Sequence, residues 1–125
     1  MRERKRNPYN RKGSLGNAMT GIGEFISRER NARIHCAAAC MAVAAGLYLG
    51  LSPREWAVVV LCIGTVISAE AFNTAIEVLC DRVIPGCDDS VRTVKDVSAG
   101  AVLIAACASA AVGLLIFVPK IISLI

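Results

Sequence analysis

The stretch that decides the fold is Glu70–Asp81, E-A-F-N-T-A-I-E-V-L-C-D. At about 100° per residue, a helix places four of its polar side chains in one stripe about 80° wide. These side chains are Glu70, Asn73, Glu77 and Asp81. Each charge at membrane depth costs about 2.5–3.5 kcal/mol on insertion scales. Since the flanking residues are strongly apolar, we expect these costly groups to have a function.

Three stretches of the 125-residue chain carry no charged side chain, namely Ile34–Pro53, Trp56–Ala69 and Val97–Pro119. About 20 apolar residues are needed to cross a bilayer. The sequence therefore predicts an all-α integral membrane protein of one domain, residues 1–125, with spans at about 34–51, 55–83 and 97–119. The alternative, a soluble helical protein, would have too little polar surface to enclose three such helices.

The segment before the first span is basic and partly amphipathic. Apolar residues recur at helical spacing between 14 and 28, which predicts a helix lying in the interface plane. Nine of the fourteen Lys and Arg residues precede Ile34, so the positive-inside rule places the N-terminus in the cytoplasm. No cleavable signal peptide is expected, because no apolar core follows the basic tail before Ile34. Nucleic-acid binding is not expected, since no folded basic domain accompanies the tail.

The second span is long enough to carry the polar stripe out of the membrane. A helix from about 54 to 83 is about 45 Å long, and Glu70 lies about 16 Å deeper than Asp81 along it. Water-soluble and lipid-embedded reactants can meet on such a surface. Trp56, near the other end of the helix, occupies the place of an interfacial anchor.

Charged residues next to the spans extend the candidate site, although each also fits an ordinary solvated flank. Glu29 lies before the first span, and Lys95 and Asp96 precede the third. A homo-oligomer, which the small-residue faces favour, would bring these groups towards the stripe of a neighbour. His35, the single histidine, is expected near the headgroups and not as a metal ligand. The six cysteines form no metal motif and are expected to act as small apolar residues.

Carboxylates beside a lysine and a basic flank suit a magnesium–nucleotide site. Mg²⁺ prefers one or two carboxylates together with phosphate oxygens, and a further carboxylate can accept the proton of an alcohol nucleophile. A proton-coupled transporter using Glu70 and Glu77 is the competing class, and a structural subunit is the third. The cytoplasmic cluster favours nucleotide chemistry, because a proton carrier needs none.

Three motifs carry a family resemblance: E-R-N-x-R-I-H at Glu29–His35, E-x-x-N-T-A-I-E-x-x-x-D-R at Glu70–Arg82, and K-D-x-x-A-G-A-V-L at Lys95–Leu103. In order and spacing they resemble the small prokaryotic diacylglycerol kinase family. The first motif is similar to the Gram-positive branch, whose members mainly phosphorylate undecaprenol. The resemblance implies a homotrimeric lipid kinase of the bacterial plasma membrane, with ATP as co-substrate and Mg²⁺ as cofactor. Diacylglycerol is the alternative substrate.

The resemblance also implies roles for single residues. Glu70 would be the general base towards the lipid hydroxyl, and Glu29 and Glu77 would hold the magnesium. The implied nucleotide contacts are Glu29, Asn73, Glu77, Asp81, Lys95, Asp96, Asn17 and Arg11. The candidate lipid contacts are Glu70, Ser98, Arg33 and Trp56.

Overall fold

The computed structural model describes residues 8–84, 86 and 88–125, and the side chains among them from Gly13 onwards. Within these residues the chain forms four helices: α1 Pro8–Arg28, α2 Arg30–Leu49, α3 Pro53–Val83 and α4 Asp89–Leu124. The predicted all-α class is confirmed. In the described part, α2, α3 and α4 are each long and apolar enough to cross a membrane, so the chain is a multi-pass membrane protein.

The helices extend beyond the apolar segments that predicted the spans. The last helix begins at Asp89, where the Asp88 carboxylate caps it by accepting the N–H groups of Ser90 and Val91 at 2.8 and 3.2 Å. It continues through Pro119 to Leu124. Its 36 residues give about 54 Å of helix, so α4 is longer than the roughly 30 Å hydrocarbon core. Apolar runs mark the membrane-embedded part, whereas capping residues decide where a helix ends.

The first helix bends and then stops sharply before the first span. Gly13 has φ 78 and ψ 172, and this bend coincides with the expected beginning of the interfacial helix at residue 14. Glu29 is extended between α1 and α2. The Arg33 guanidinium donates to the carbonyls of Ile26 and Ser27 at 3.2 and 2.9 Å. It thereby satisfies acceptors that the end of α1 leaves open.

A tight turn joins α2 to α3. Gly50 ends α2 in the left-handed conformation with φ 73, and Ser52 and Glu55 form a reciprocal capping box with Pro53 in the first turn. The indole of Trp56 packs on Gly46, where an added Cβ would lie 2.8 Å from the indole Cη2. The turn is therefore fixed by local chemistry and by a close aromatic contact.

The most extensive contact between helices joins the antiparallel pair α3 and α4. Lys95 Nζ lies 2.6 Å from Asp81 Oδ1 at one end of the pair, and Lys120 Nζ lies 3.1 Å from Glu55 Oε1 at the other. Ser109 Oγ donates to the Cys62 carbonyl between them, at 3.5 Å. Most large apolar side chains of α4 point outwards, which suits lipid or further subunits.

Candidate active site

The polar stripe of α3 runs from a buried end to an exposed end. Glu70 is only 3% exposed and Asn73 8%, Glu77 is half-buried, and the Asp81 side chain is 65% exposed. Burial within the chain thus falls along one helix face from Glu70 to Asp81, the direction in which the sequence predicts decreasing membrane depth. The arrangement places one carboxylate in a dry environment and another in water.

Glu70 has a partner that the sequence analysis missed. His35 Nε2 lies 3.6 Å from Glu70 Oε1, with 25% of the His35 side chain and 4% of the Glu70 side chain exposed. The sequence predicts His35 near the headgroups without naming a partner, and in the structure the packing of α2 on α3 turns its ring towards the buried carboxylate. A lone histidine at the beginning of one span, with a carboxylate inside the next, was the available signal.

At the exposed end, Lys95 reaches the stripe within the same chain, through its ion pair with Asp81. From the sequence, Lys95 was predicted to reach the polar stripe of a neighbouring subunit. Asp96, the next residue, is exposed. A lysine that neutralises one carboxylate while another remains accessible suits an anionic ligand with a bound cation.

Two polar atoms beside Glu70 are left without hydrogen bonds. In the described part of the chain, Asn73 Oδ1 and Thr74 Oγ1 are both buried and have no partner. Buried polar groups are almost always hydrogen-bonded in folded proteins. The buried end of the stripe therefore holds two polar atoms that lack partners in this arrangement of the helices.

An apolar cavity of about 320 Å³ opens between α2, α3 and α4. Its walls include Ala39, Val66, Ile67 and Phe117, and His35 also borders it. Ser98, a candidate lipid contact, is 8% exposed and lies in α4, the helix packed on the stripe. A space with these walls suits a hydrocarbon chain better than a nucleotide.

The structure does not gather every predicted residue at Glu70. Trp56 lies about 21 Å away along α3, and its contact with Gly46 accounts for its position without a lipid. Arg33 is engaged with the end of α1. Asn17 and Glu29 are half-buried, and Arg11 belongs to α1 but its side chain lies outside the described residues.

The described residues contain no group of three or more His, Cys, Asp or Glu side chains placed to hold a metal ion. A complete protein cage for a cation is therefore not formed by this part of one chain. Mg²⁺ commonly keeps waters and relies on one or two carboxylates with substrate phosphates. The donor chemistry of the stripe fits that second kind of site.

Comparisons with known proteins agree with the three motifs. The sequence model of the family described as prokaryotic diacylglycerol kinase matches residues 16–117. The chain is 41% identical to an undecaprenol kinase of Bacillus subtilis over 107 residues, which cover 86% of this chain and 87% of that protein. It is 32% identical to a diacylglycerol kinase of Synechocystis over 108 residues, 86% of this chain and 62% of that protein. No solved structure is significantly similar.

The family match covers most of the chain, from residue 16 to residue 117, and includes the whole polar stripe. It decides between the classes that composition left open, because a transporter or a structural subunit would not share this pattern with lipid kinases. The predicted resemblance is confirmed, and the chain belongs to the prokaryotic diacylglycerol kinase family of membrane lipid kinases.

Proposed function

We propose that this lipid kinase transfers the γ-phosphate of ATP to the hydroxyl of undecaprenol, with diacylglycerol as the weaker substrate. The observation that carries the proposal is the burial of Glu70 on a stripe that leads out to water. The higher identity to the Bacillus undecaprenol kinase and the E-R-N-x-R-I-H motif support undecaprenol as the first substrate. The apolar cavity offers space for part of a long hydrocarbon chain.

In the proposed reaction, Glu70 accepts the proton of the lipid hydroxyl as that oxygen attacks the γ-phosphorus. The bond between the γ-phosphorus and the bridging oxygen of ADP breaks, so the products are the lipid phosphate and ADP. Ser98 lies on the helix facing the stripe and is the proposed second contact to the hydroxyl. Arg33 and Trp56 are proposed as lipid contacts away from Glu70, in addition to the contacts that they make within the fold.

The proposed magnesium ligands are Glu29 and Glu77, and their positions in the helices support this. Measured along the helix axes from the contact between His35 and Glu70, Glu29 lies about 9 Å away, at the N-terminal end of α2. Glu77 lies about 10 Å away, towards the C-terminal end of α3. Since the two helices are antiparallel, both steps lead towards the same end. When bound, Mg²⁺ supplies charge neutralisation on the phosphates.

The remaining polar groups form the proposed nucleotide site. Lys95 neutralises phosphate charge once ATP competes with Asp81 for the lysine. The proposed role of Asn73, whose Oδ1 has no partner, is to accept a hydrogen bond from the nucleotide. The other proposed contacts are Asp81, Asp96, Asn17 and Arg11. We also propose a homotrimer in the bacterial plasma membrane with the N-terminus in the cytoplasm, supported by the outward apolar face of α4 and the basic N-terminal segment.

The test is ATP-dependent phosphorylation by the purified protein in mixed micelles, with undecaprenol and diacylglycerol compared side by side. We expect undecaprenol to be preferred, and Glu70→Gln to lower turnover at least about 100-fold, the usual contribution of a general base. Glu24→Gln is the control, since it makes the same change at an exposed carboxylate of α1 that has no part in the proposed site. Preference for diacylglycerol would overturn the substrate assignment, and full turnover by Glu70→Gln would overturn the base.

A further inference from the structure

We infer that His35 is a positioning residue that holds the Glu70 carboxylate in its reactive orientation, an inference that rests on the proposed function. The geometry joins two helices at this point, because His35 belongs to α2 and Glu70 to α3. Nothing in the motif around Glu70 itself fixes the rotation of its carboxylate. The contact from α2 supplies that constraint.

The first support is the burial of Glu70. Its side chain is 4% exposed, and a buried carboxylate is costly unless a donor or a cation compensates it. Among the contacts in the described residues, the group that can compensate Glu70 is the His35 ring at 3.6 Å. A neutral imidazole with its proton on Nε2 donates to the carboxylate, and an imidazolium pairs with it.

The second support is the length of the contact. At 3.6 Å the two atoms are slightly beyond the usual 2.7–3.2 Å range of N–H···O hydrogen bonds. Hydrogen bonds of catalytic groups are often long before the substrate binds and shorten in the complex. A small rotation of the His35 side chain would therefore form the hydrogen bond to Glu70, without movement of either helix.

The third support is the position of the ring beside the cavity. His35 borders the apolar cavity, and Glu70 is not among its lining residues. The imidazole therefore occupies the polar edge of that space and contacts Oε1 of Glu70. With Oε1 held in this way, Oε2 is the oxygen left for the proton of the lipid hydroxyl.

The test compares His35→Gln with His35→Met in the mixed-micelle assay. Gln and Met have similar shape and helix propensity, but only Gln retains an N–H donor near the position of Nε2. Because small misplacements of a catalytic group cost up to about 100-fold, we expect Met to lower kcat by about 30- to 100-fold. Gln should restore kcat to within about fivefold of the wild type, and neither should change the KM for ATP more than about threefold.

Met41→Ala is the control for a changed side chain on α2, since Met41 is exposed and does not border the cavity. It should leave kcat at saturating lipid unchanged. Equal kcat values for Gln and Met, or a loss confined to the KM for ATP, would overturn the role of His35. Thermal melting of all variants identifies any that fail to fold, and His35→Asn, which keeps a shorter donor, then replaces His35→Gln.

The two proposals fail in different ways. If the wild type phosphorylates neither lipid, the proposed function is wrong. If the wild type is active and His35→Met retains its kcat, the function stands and only the positioning role is wrong.

Discussion

Glu77 occupies the middle of the burial gradient on α3, between the dry Glu70 and the solvated Asp81. A half-buried carboxylate is well suited to a cation that arrives with a nucleotide from water, because it keeps some hydration until the ligand binds. Its protein environment supplies no complete cage in the described residues. If Glu77 is a magnesium ligand, as proposed, the cation would be shared with phosphate oxygens, and its binding would depend on the nucleotide.

Replacing Glu77 by Gln should therefore raise the magnesium concentration needed for half-maximal activity, by about tenfold or more. The amide keeps the size of the side chain but loses the charge that attracts the cation. The measurement is a magnesium titration of initial rate at fixed ATP. Glu24→Gln, at an exposed carboxylate of α1, serves as the comparison, and an unchanged midpoint in Glu77→Gln would argue against the ligand role.

At the residue scale, the sequence predicted the composition of the stripe but not all of its contacts. Glu70, Asn73, Glu77 and Asp81 share a face because helical periodicity is a local property. His35 could not be assigned to Glu70 in that way, because 35 residues separate them and the rotation of α2 against α3 depends on packing. Arg33 likewise has a contact that periodicity does not predict, since from the first turn of α2 it donates to carbonyls at the end of α1.

The turn between α2 and α3 is the element whose geometry is most closely determined. Gly50 adopts the left-handed conformation that L side chains rarely occupy, and Ser52 with Glu55 satisfies the first N–H groups of α3. Gly46 allows the indole of Trp56 to touch the backbone of α2. The predicted spans left only a short connection between about 51 and 55, whereas the need for glycine at 46 emerged only from the packed structure.

Gly46→Ala should destabilise the protein by about 1–3 kcal/mol, the usual cost of overpacking. The added Cβ would lie 2.8 Å from Trp56 Cη2 and 2.9 Å from Leu51 Cδ1, so the indole must shift. Thermal unfolding in detergent measures the change, and Trp56→Phe in the same chain should recover part of it. Gly64→Ala is the control, because nothing lies within 4 Å of the Cβ that it adds; equal losses in both variants would show that the contact with Trp56 is not the cause.

The α3–α4 pair is held in register by charges at both of its ends. A slip of one helical turn along α3 and α4 would separate Lys95 from Asp81 and Lys120 from Glu55. Sequence reasoning identified Lys95 beside the stripe but gave Lys120 no role. The second pair depends on nearly equal spacing of the charged residues along the two helices, and it becomes visible only when α4 is seen to continue through Pro119.

For the whole molecule, the most buried side chains include Glu70, Asn73 and Ser98, while many Leu, Ile and Val side chains are exposed. This distribution is typical of a membrane protein, because lipid replaces the apolar core that a soluble protein needs. The number of spans followed from the sequence, since length and hydropathy decide it. The arrangement of subunits did not, because small-residue faces favour association without specifying its symmetry.

We expect the active enzyme to contain three copies of the 13.2 kDa chain. Outward apolar faces and the unpartnered atoms of Asn73 and Thr74 are then covered or completed by neighbours. Native mass spectrometry in detergent, recorded on the same sample as the kinase assay, measures the number of copies. A fully active monomer would contradict the trimer and would require the lipid substrate alone to complete the site.

The dryness around Glu70 also governs what happens when ATP is bound but no lipid is present. Water is then the competing nucleophile. Glu70 is only 3% exposed, so its carboxylate has little access to a water molecule from which it would remove a proton. We therefore expect ATP hydrolysis in lipid-free micelles to be far slower than phosphorylation at saturating lipid. An enzyme built in this way can remain abundant in the membrane and nearly idle, consuming ATP only as fast as its alcohol substrate arrives.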